Sequence, residues 1–356
     1  VINLGIGQPD FKPPKHILEA AEKAVRDGPH GYSSPQGLPI LRDAVAQYVG
    51  NRFKVPVTGD EVVIVPGGKV TFYFACQIFG GPGAEILYPD PGFPPYRDAA
   101  RSSGATPVAY PIREEKDFGF DAEEVLSLIT PATRLIIINS PANPTGGVVS
   151  RQEITRLAEG LLKHPQVAIL SDEIYSHQVY DGVDFTSFLG FPELRDRTII
   201  LDGWSKTFAM TGWRLGFGIW PRHLVDYVKK LITVDHSCTS VATQMAGLAA
   251  ITGPMDEIEG FRRSFQKRRD LVVAGLNDIK GVRCRVPGGA FYAFPNITGT
   301  GWSSRDLSRE LLEKAHVALL LGESFGANGA GFVRISYAAS ETELREALAR
   351  MKAFLG

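Results

Sequence analysis

The chain has little cysteine, no excess of either charge and no long apolar run. Cys76, Cys238 and Cys284 lie far apart, odd in number and without a C-x-x-C pair. That pattern argues against a disulfide framework or a metal site, and for a reducing cytoplasm. Lys and Arg total 38 against 39 Asp and Glu, a formal net charge of −1. Such a balance gives no support to a nucleic-acid or anionic-membrane surface. The longest apolar stretches fall far short of the roughly 20 residues that cross a bilayer, so no membrane contact is expected. No secretory signal precedes Val1, yet the chain opens on Val instead of Met, so further N-terminal sequence is expected.

What is present is ordinary for a globular protein: 44% apolar and 22% charged residues. The length of 356 residues suggests about two domains. Short, nearly all-apolar runs at 62–65, 85–88, 135–139, 167–171, 198–202 and 216–219 read as strands buried on both faces of a mainly parallel sheet. Helical patterns at 69–79, 96–103, 152–163 and 223–231 alternate with them, which predicts an α/β sheet flanked by helices. After Pro254 the pattern changes: a long helix over 256–276, strands near 282–286 and 290–294, a helix over 304–315, a strand at 331–337 and a closing helix from Glu341, capped by Ser340. This predicts a large domain over 15–255 and a smaller α+β domain made of 256–356 together with 1–14.

Three patterns sit at predicted strand ends, where ligands of open α/β sheets bind. They are Asn139 to Gly146 (NSPANPTG), Asp172 to Tyr175 (DEIY) and Ser205 to Arg214 (SKTFAMTGWR). Each alone has an ordinary reading: a Pro-Gly turn, a helix-capping Asp, a solvated Lys. Their order, spacing and shared placement point instead to one ligand site.

With these motifs the sequence resembles the class I/II aminotransferases, pyridoxal-phosphate (PLP) enzymes of fold type I. The likeness runs from Leu4–Phe11 (LGIGQPDF) through Tyr32–Gly37 (YSSPQG) to Arg334–Tyr337 (RISY). It implies a homodimer with shared active sites and ping-pong transamination between an L-amino acid and a 2-oxo acid. Lys206 would carry PLP as a Schiff base and later move the Cα proton. Asp172 would hold a proton on the pyridine nitrogen, and Asn143 and Tyr175 would donate to the phenolic oxygen. Phe93 would cover the ring. Gly68 and Lys69 at a helix start, Ser205, Arg214, and Tyr32 from the partner subunit would hold the phosphate. Arg334 would clamp the substrate α-carboxylate, beside Gly7. The resemblance also implies a cis Asn143–Pro144 peptide.

Departures narrow the substrate less. Relatives usually begin roughly thirty residues earlier. Some carry an arginine for a distal carboxylate where residues 233–240 (TVDHSCTS) have none; others use a lysine at the position of Lys69, which leaves aspartate or glutamate open. A PLP-dependent β-elimination on the same scaffold and a PLP-sensing regulator domain are the alternatives. A dinucleotide site at Leu4–Gly7 is disfavoured, because Pro9 stands where a glycine-rich helix entry is needed.

Overall fold

The computed structural model describes residues 1–356. Its strands are β1 (Ile2–Asn3), β2 (Val62–Val65), β3 (Glu85–Asp90), β4 (Thr106–Pro111), β5 (Thr133–Asn139), β6 (Ala168–Asp172), β7 (Thr198–Gly203), β8 (Gly216–Ile219), β9 (Tyr292–Ala293), β10 (Val317–Ala318), β11 (Leu320–Leu321) and β12 (Val333–Ser336). The helices are α1 (Lys15–Asp27), α2 (Pro39–Phe53), α3 (Lys69–Phe79), α4 (Pro95–Ser102), α5 (Ala122–Ser127), α6 (Arg151–Leu161), α7 (Trp204–Thr207), α8 (Arg222–Asp235), α9 (Val241–Thr252), α10 (Asp256–Asn277), α11 (Ser304–Glu310) and α12 (Glu341–Leu355). None is long and apolar enough to cross a membrane.

Seven strands form one sheet in the order β2-β8-β7-β6-β5-β3-β4. All six apolar runs expected as strands belong to it. Its pairs are parallel except those of β8, which runs antiparallel to both β2 and β7. Alternation along each strand loads both faces. Ile136, Ile138 and Ile169 pack with Leu41 of α2 and Ala246 of α9. Leu135, Ile137 and Leu170 face the other way, onto Phe72 and Phe74 of α3 and Val228 of α8. Burying each such side chain stabilises the fold by about 1.5–3 kcal/mol. Sealed on both sides, the sheet offers a ligand access only at its edges and strand ends.

A third core gathers Leu4, Phe265, Phe291, Val333 and Leu344. Around it β11-β12-β9 form a small antiparallel sheet, and β1 pairs parallel with β10, so the first residues lie among the last. Ser340 caps α12: its hydroxyl accepts from Glu343 N at 3.2 Å, and the Glu343 carboxylate accepts from Ser340 N at 3.1 Å. Loss of such a cap costs about 0.5–2 kcal/mol.

Two expectations need correction. Residues 282–286 are not a strand; a single bridge joins Arg283 to Asn296. The reason is a side chain: the Asn277 amide donates to Cys284 O at 3.0 Å and accepts from Cys284 N at 2.8 Å, in place of a neighbouring strand. The helix expected over 304–315 leaves α geometry after Glu310 and continues as a π turn over Leu311–Ala315.

Candidate active site

The carboxyl ends of β2, β3, β5, β6 and β7 share one edge of the sheet. Beyond it lies a cavity of about 660 Å³. Gly7, Gly68, Lys69, Phe93, Asn143 and Asp172 line it, together with Tyr175, Ser205, Lys206, Arg214 and Arg334. Every site residue expected from the sequence is there except Tyr32, which stands 91% exposed in the loop before α2.

Lys206 sits on α7, a single turn directly after β7. Its Nζ donates to Gly7 O at 2.7 Å, bridging the sheet edge and the N-terminal segment. A side chain on Gly7 would place Cβ 2.5 Å from the Tyr292 hydroxyl, so only glycine lets this backbone come so close. Burial and the nearby charges of Lys69, Arg214 and Arg334 push the Lys206 amine down to about 8, against the opposing pull of Asp172. At pH 7 about a tenth of it is therefore unprotonated and nucleophilic, and about half at pH 8.

Asp172 ends β6 and is buried. Burial raises its carboxyl to about 6, while the Tyr96 hydroxyl and Ile174 N, both donating to it, act the other way. The Tyr96 bond measures 2.5 Å. Asp172 thus stays largely ionised near neutral pH, a buried anion able to hold a proton on a ligand. Asn139, at the end of β5, orders the neighbouring loop: its Nδ2 donates to Asp172 O at 3.1 Å and its Oδ1 accepts from Asn143 N at 2.9 Å. The Asn143–Pro144 peptide is cis, as expected, and so are Ser140–Pro141 and Asp90–Pro91.

Arg334 on β12 faces this loop. Its guanidinium donates to Asn143 Oδ1 at 2.9 Å and to Gly5 O at 2.6 Å, and Nε is buried without a partner. The Tyr292 and Phe325 rings lie 4.5 and 4.8 Å from its Cζ. Tyr292 also shares a 2.8 Å hydrogen bond with the Tyr175 hydroxyl. Burial first, then the charges of Tyr292 and Asp172, keeps Tyr175 well above the usual phenol range, so it remains a donor.

The other cations gather at the β2–α3 turn. Arg214 donates to Thr211 O at 2.8 Å and lies over Gly67, where an added Cβ would meet its Nη2 at 2.1 Å. Lys69 opens α3, whose first N–H groups lack helical partners. The Lys69 ammonium stands 5.2 Å over the Phe93 ring.

Tyr96, Asn139, Tyr292 and Phe325 carry site geometry but were not among the expected site residues. Asn139 opened a quoted motif and Tyr96 began an expected helix three residues after Phe93, so their proximity to expected site residues was the available signal. Tyr292 and Phe325 had none, because only the fold brings them to the sheet edge.

The sequence matches the class I and II aminotransferase family over residues 1–351. It is 38% identical to an aspartate aminotransferase of Pyrococcus horikoshii over 99% of this chain and 90% of that protein. It is also 38% identical to aromatic-amino-acid aminotransferase 2 of Thermococcus litoralis, over 100% and 92%. The crystal structure of the Rhizobium meliloti aspartate aminotransferase superposes with a TM-score of 0.96 at 38% identity, over 100% of this chain and 91% of that one. With this agreement in sequence, fold and cavity, the chain belongs to the class I and II aminotransferase family.

Proposed function

We propose that this aminotransferase holds pyridoxal 5′-phosphate at Lys206 and moves an amino group between an acidic L-amino acid and a 2-oxo acid. One observation carries the reading: the cavity is lined by four cationic side chains, Lys69, Lys206, Arg214 and Arg334, and a single carboxylate, Asp172. A phosphate and the carboxylates of an amino acid fit such a lining. The donor set fits the cofactor too: an amine lowered to about 8, a buried carboxylate, and Arg214 beside the start of α3 for the phosphate.

When bound, the cofactor supplies an aldehyde for the substrate amine and a ring that spreads the electron pair left at Cα. Arg334, with its guanidinium plane fixed by two rings, holds the α-carboxylate and orients the Cα–H bond. Lys206 Nζ takes that proton. Asp172 holds the ring-nitrogen proton, and Asn143 and Tyr175 serve the phenolic oxygen. Ser205 and the Gly68 and Lys69 amides join Arg214 on the phosphate, and Phe93 covers the ring. Lys69 reads the distal carboxylate of an acidic substrate. Proton transfer by a base so placed contributes about 10²–10⁴-fold in rate.

We read 15–255 and 1–14 with 256–356 as two domains that share the cavity. The β1–β10 pairing and the core around Leu4 and Phe265 support this division. A homodimer in which each Tyr32 reaches the partner's phosphate accounts for its exposure. Three unpaired cysteines accord with the cytoplasm.

The test titrates PLP-loaded protein with single L-amino acids and follows the cofactor's visible band, then pairs the responders with 2-oxo acids. Aspartate or glutamate should discharge the band fastest, and a 2-oxo acid should restore it. No response to any amino acid would refute the reading. Steady ammonia release without an oxo acid would replace it with elimination.

A further inference from the structure

We propose that Asp90 is a positioning residue that sets the carboxylate clamp from across the cavity. Asp90 ends β3, is 5% exposed, and leads through Pro91 and Gly92 to Phe93 in the cavity wall. Its two carboxylate oxygens accept from Ala327 N and Asn328 N, each at 3.1 Å. The connection is returned twice: Asn328 Nδ2 donates to Asp90 O at 3.3 Å, and Gly92 N donates to Phe325 O at 2.8 Å. Four hydrogen bonds therefore tie the β3–α4 loop to residues 325–328.

Phe325 is what this tie holds in place. Its ring lies 4.8 Å from Arg334 Cζ, and Tyr292 lies 4.5 Å from the same atom, so the two rings bracket the guanidinium. Tyr292 is fixed from its own side by Tyr175. Phe325 ends a single 3-10 turn, and Asp90 is the charged group that pins the chain just beyond it. Between them, Gly326 has φ +135°, and a Cβ there would meet Asp90 Oδ1 at 2.0 Å. The turn can approach Asp90 only with glycine at that position. Without the carboxylate, the Ala327 and Asn328 N–H groups lose the acceptors that hold these exposed residues against the end of β3, residues 325–328 shift to find others, and the ring leaves the guanidinium.

Asp90 contacts no reacting atom, so its loss should act on carboxylate affinity more than on the chemical step. This rests on Arg334 being the carboxylate clamp, and the experiment separates the two claims. Asp90→Asn, Asp90→Ala, Gly326→Ala and Arg334→Ala are titrated calorimetrically with propionate and with succinate, beside PLP binding and steady-state kinetics. The Asp90 and Gly326 variants should bind both probes about ten- to a hundredfold more weakly. KM should rise with them, with kcat changed less than KM and PLP affinity kept. Asp90→Asn, which retains one acceptor, should lie between wild type and Asp90→Ala. If Arg334→Ala binds the probes normally, the clamp reading itself fails. If Arg334→Ala weakens them while folded Asp90 variants do not, the positioning role alone is overturned. Loss of folded protein in all the Asp90 and Gly326 variants would make the tie a folding determinant and overturn the proposal as well.

Discussion

The Tyr96 hydroxyl donates to Asp172 Oδ2 at 2.5 Å, joining the first turn of α4 to the end of β6. This bond favours the charged carboxylate where burial opposes it. In Tyr96→Phe the Asp172 carboxyl should rise further, and the acid limb of the kcat profile should move to higher pH. A hydrogen bond to a charged group contributes about 1.5–3 kcal/mol, so kcat should fall about ten- to a hundredfold. An unchanged pH profile would show that Asp172 needs no support from Tyr96.

The Lys206 amine, lowered to about 8, can be read directly in cofactor-free protein. Its neutral form grows as pH rises through that value, so acylation of Lys206, followed by peptide mass, should have its midpoint there. Lys69→Gln removes a repelling charge and should move the midpoint up. Lys206→Ala should still bind PLP through the phosphate contacts and lose nearly all transamination.

Lys69 stands over the Phe93 ring at the cavity. Lys69→Ala should lower kcat/KM for aspartate about tenfold more than for alanine, as expected when one charge-assisted bond is lost. Equal losses for both substrates would confine Lys69 to its backbone N–H.

Tyr32 is tested by mixing subunits. Lys206→Ala homodimers and Tyr32→Arg homodimers, the latter built to block the phosphate position, should each be inactive. After exchange, half the dimers are mixed and each has one intact site, so activity should return to about a quarter of wild type. No recovery after verified exchange would place Tyr32 in its own subunit's structure.

Glu173 is 1% exposed, and burial raises its carboxyl to about 8 despite donation from Ser187, Ser171 and Phe188 N. Folded protein thus binds more protons than unfolded chain between about 4.5 and 8, and this group lowers stability as pH rises through that window. Buried Asp202, raised to about 7, acts in the same direction. Glu173→Gln should therefore improve relative to wild type from pH 5 to pH 9, seen as a narrowing or reversal of the difference in Tm.

The sheet was legible because its strands are sealed on both faces and read as unbroken apolar runs. The strand that escaped, β4, is the edge: half exposed, with Pro107 and Pro111 breaking its pattern. Helix α9 escaped for the opposite reason, since its apolar residues surround it and leave no stripe. In the site, Lys206, Asp172, Asn143 and Arg214 stood in compact motifs. Tyr292 and Phe325 were silent because an aromatic residue far along the chain gives no local sign of the guanidinium it will meet. Asp90 carried no local sign of its role, because its partners lie 237 and 238 positions away.

The hydrogen bond from Arg334 to Gly5 spans 329 positions, and that from Lys206 to Gly7 spans 199. A chain growing from its N-terminus cannot close the first of these until Arg334 has been made, whatever the sheet has already become. Contacts of such separation demand loop closure before they return any stability, which slows the final step. The pocket is thus a late product of folding, and a ligand that needs both Gly7 and Arg334 can stabilise only chains in which the two have met. Supplied during refolding, the cofactor would select molecules whose pocket has closed without guiding the early steps, raising yield with little change in the rate at which the sheet forms.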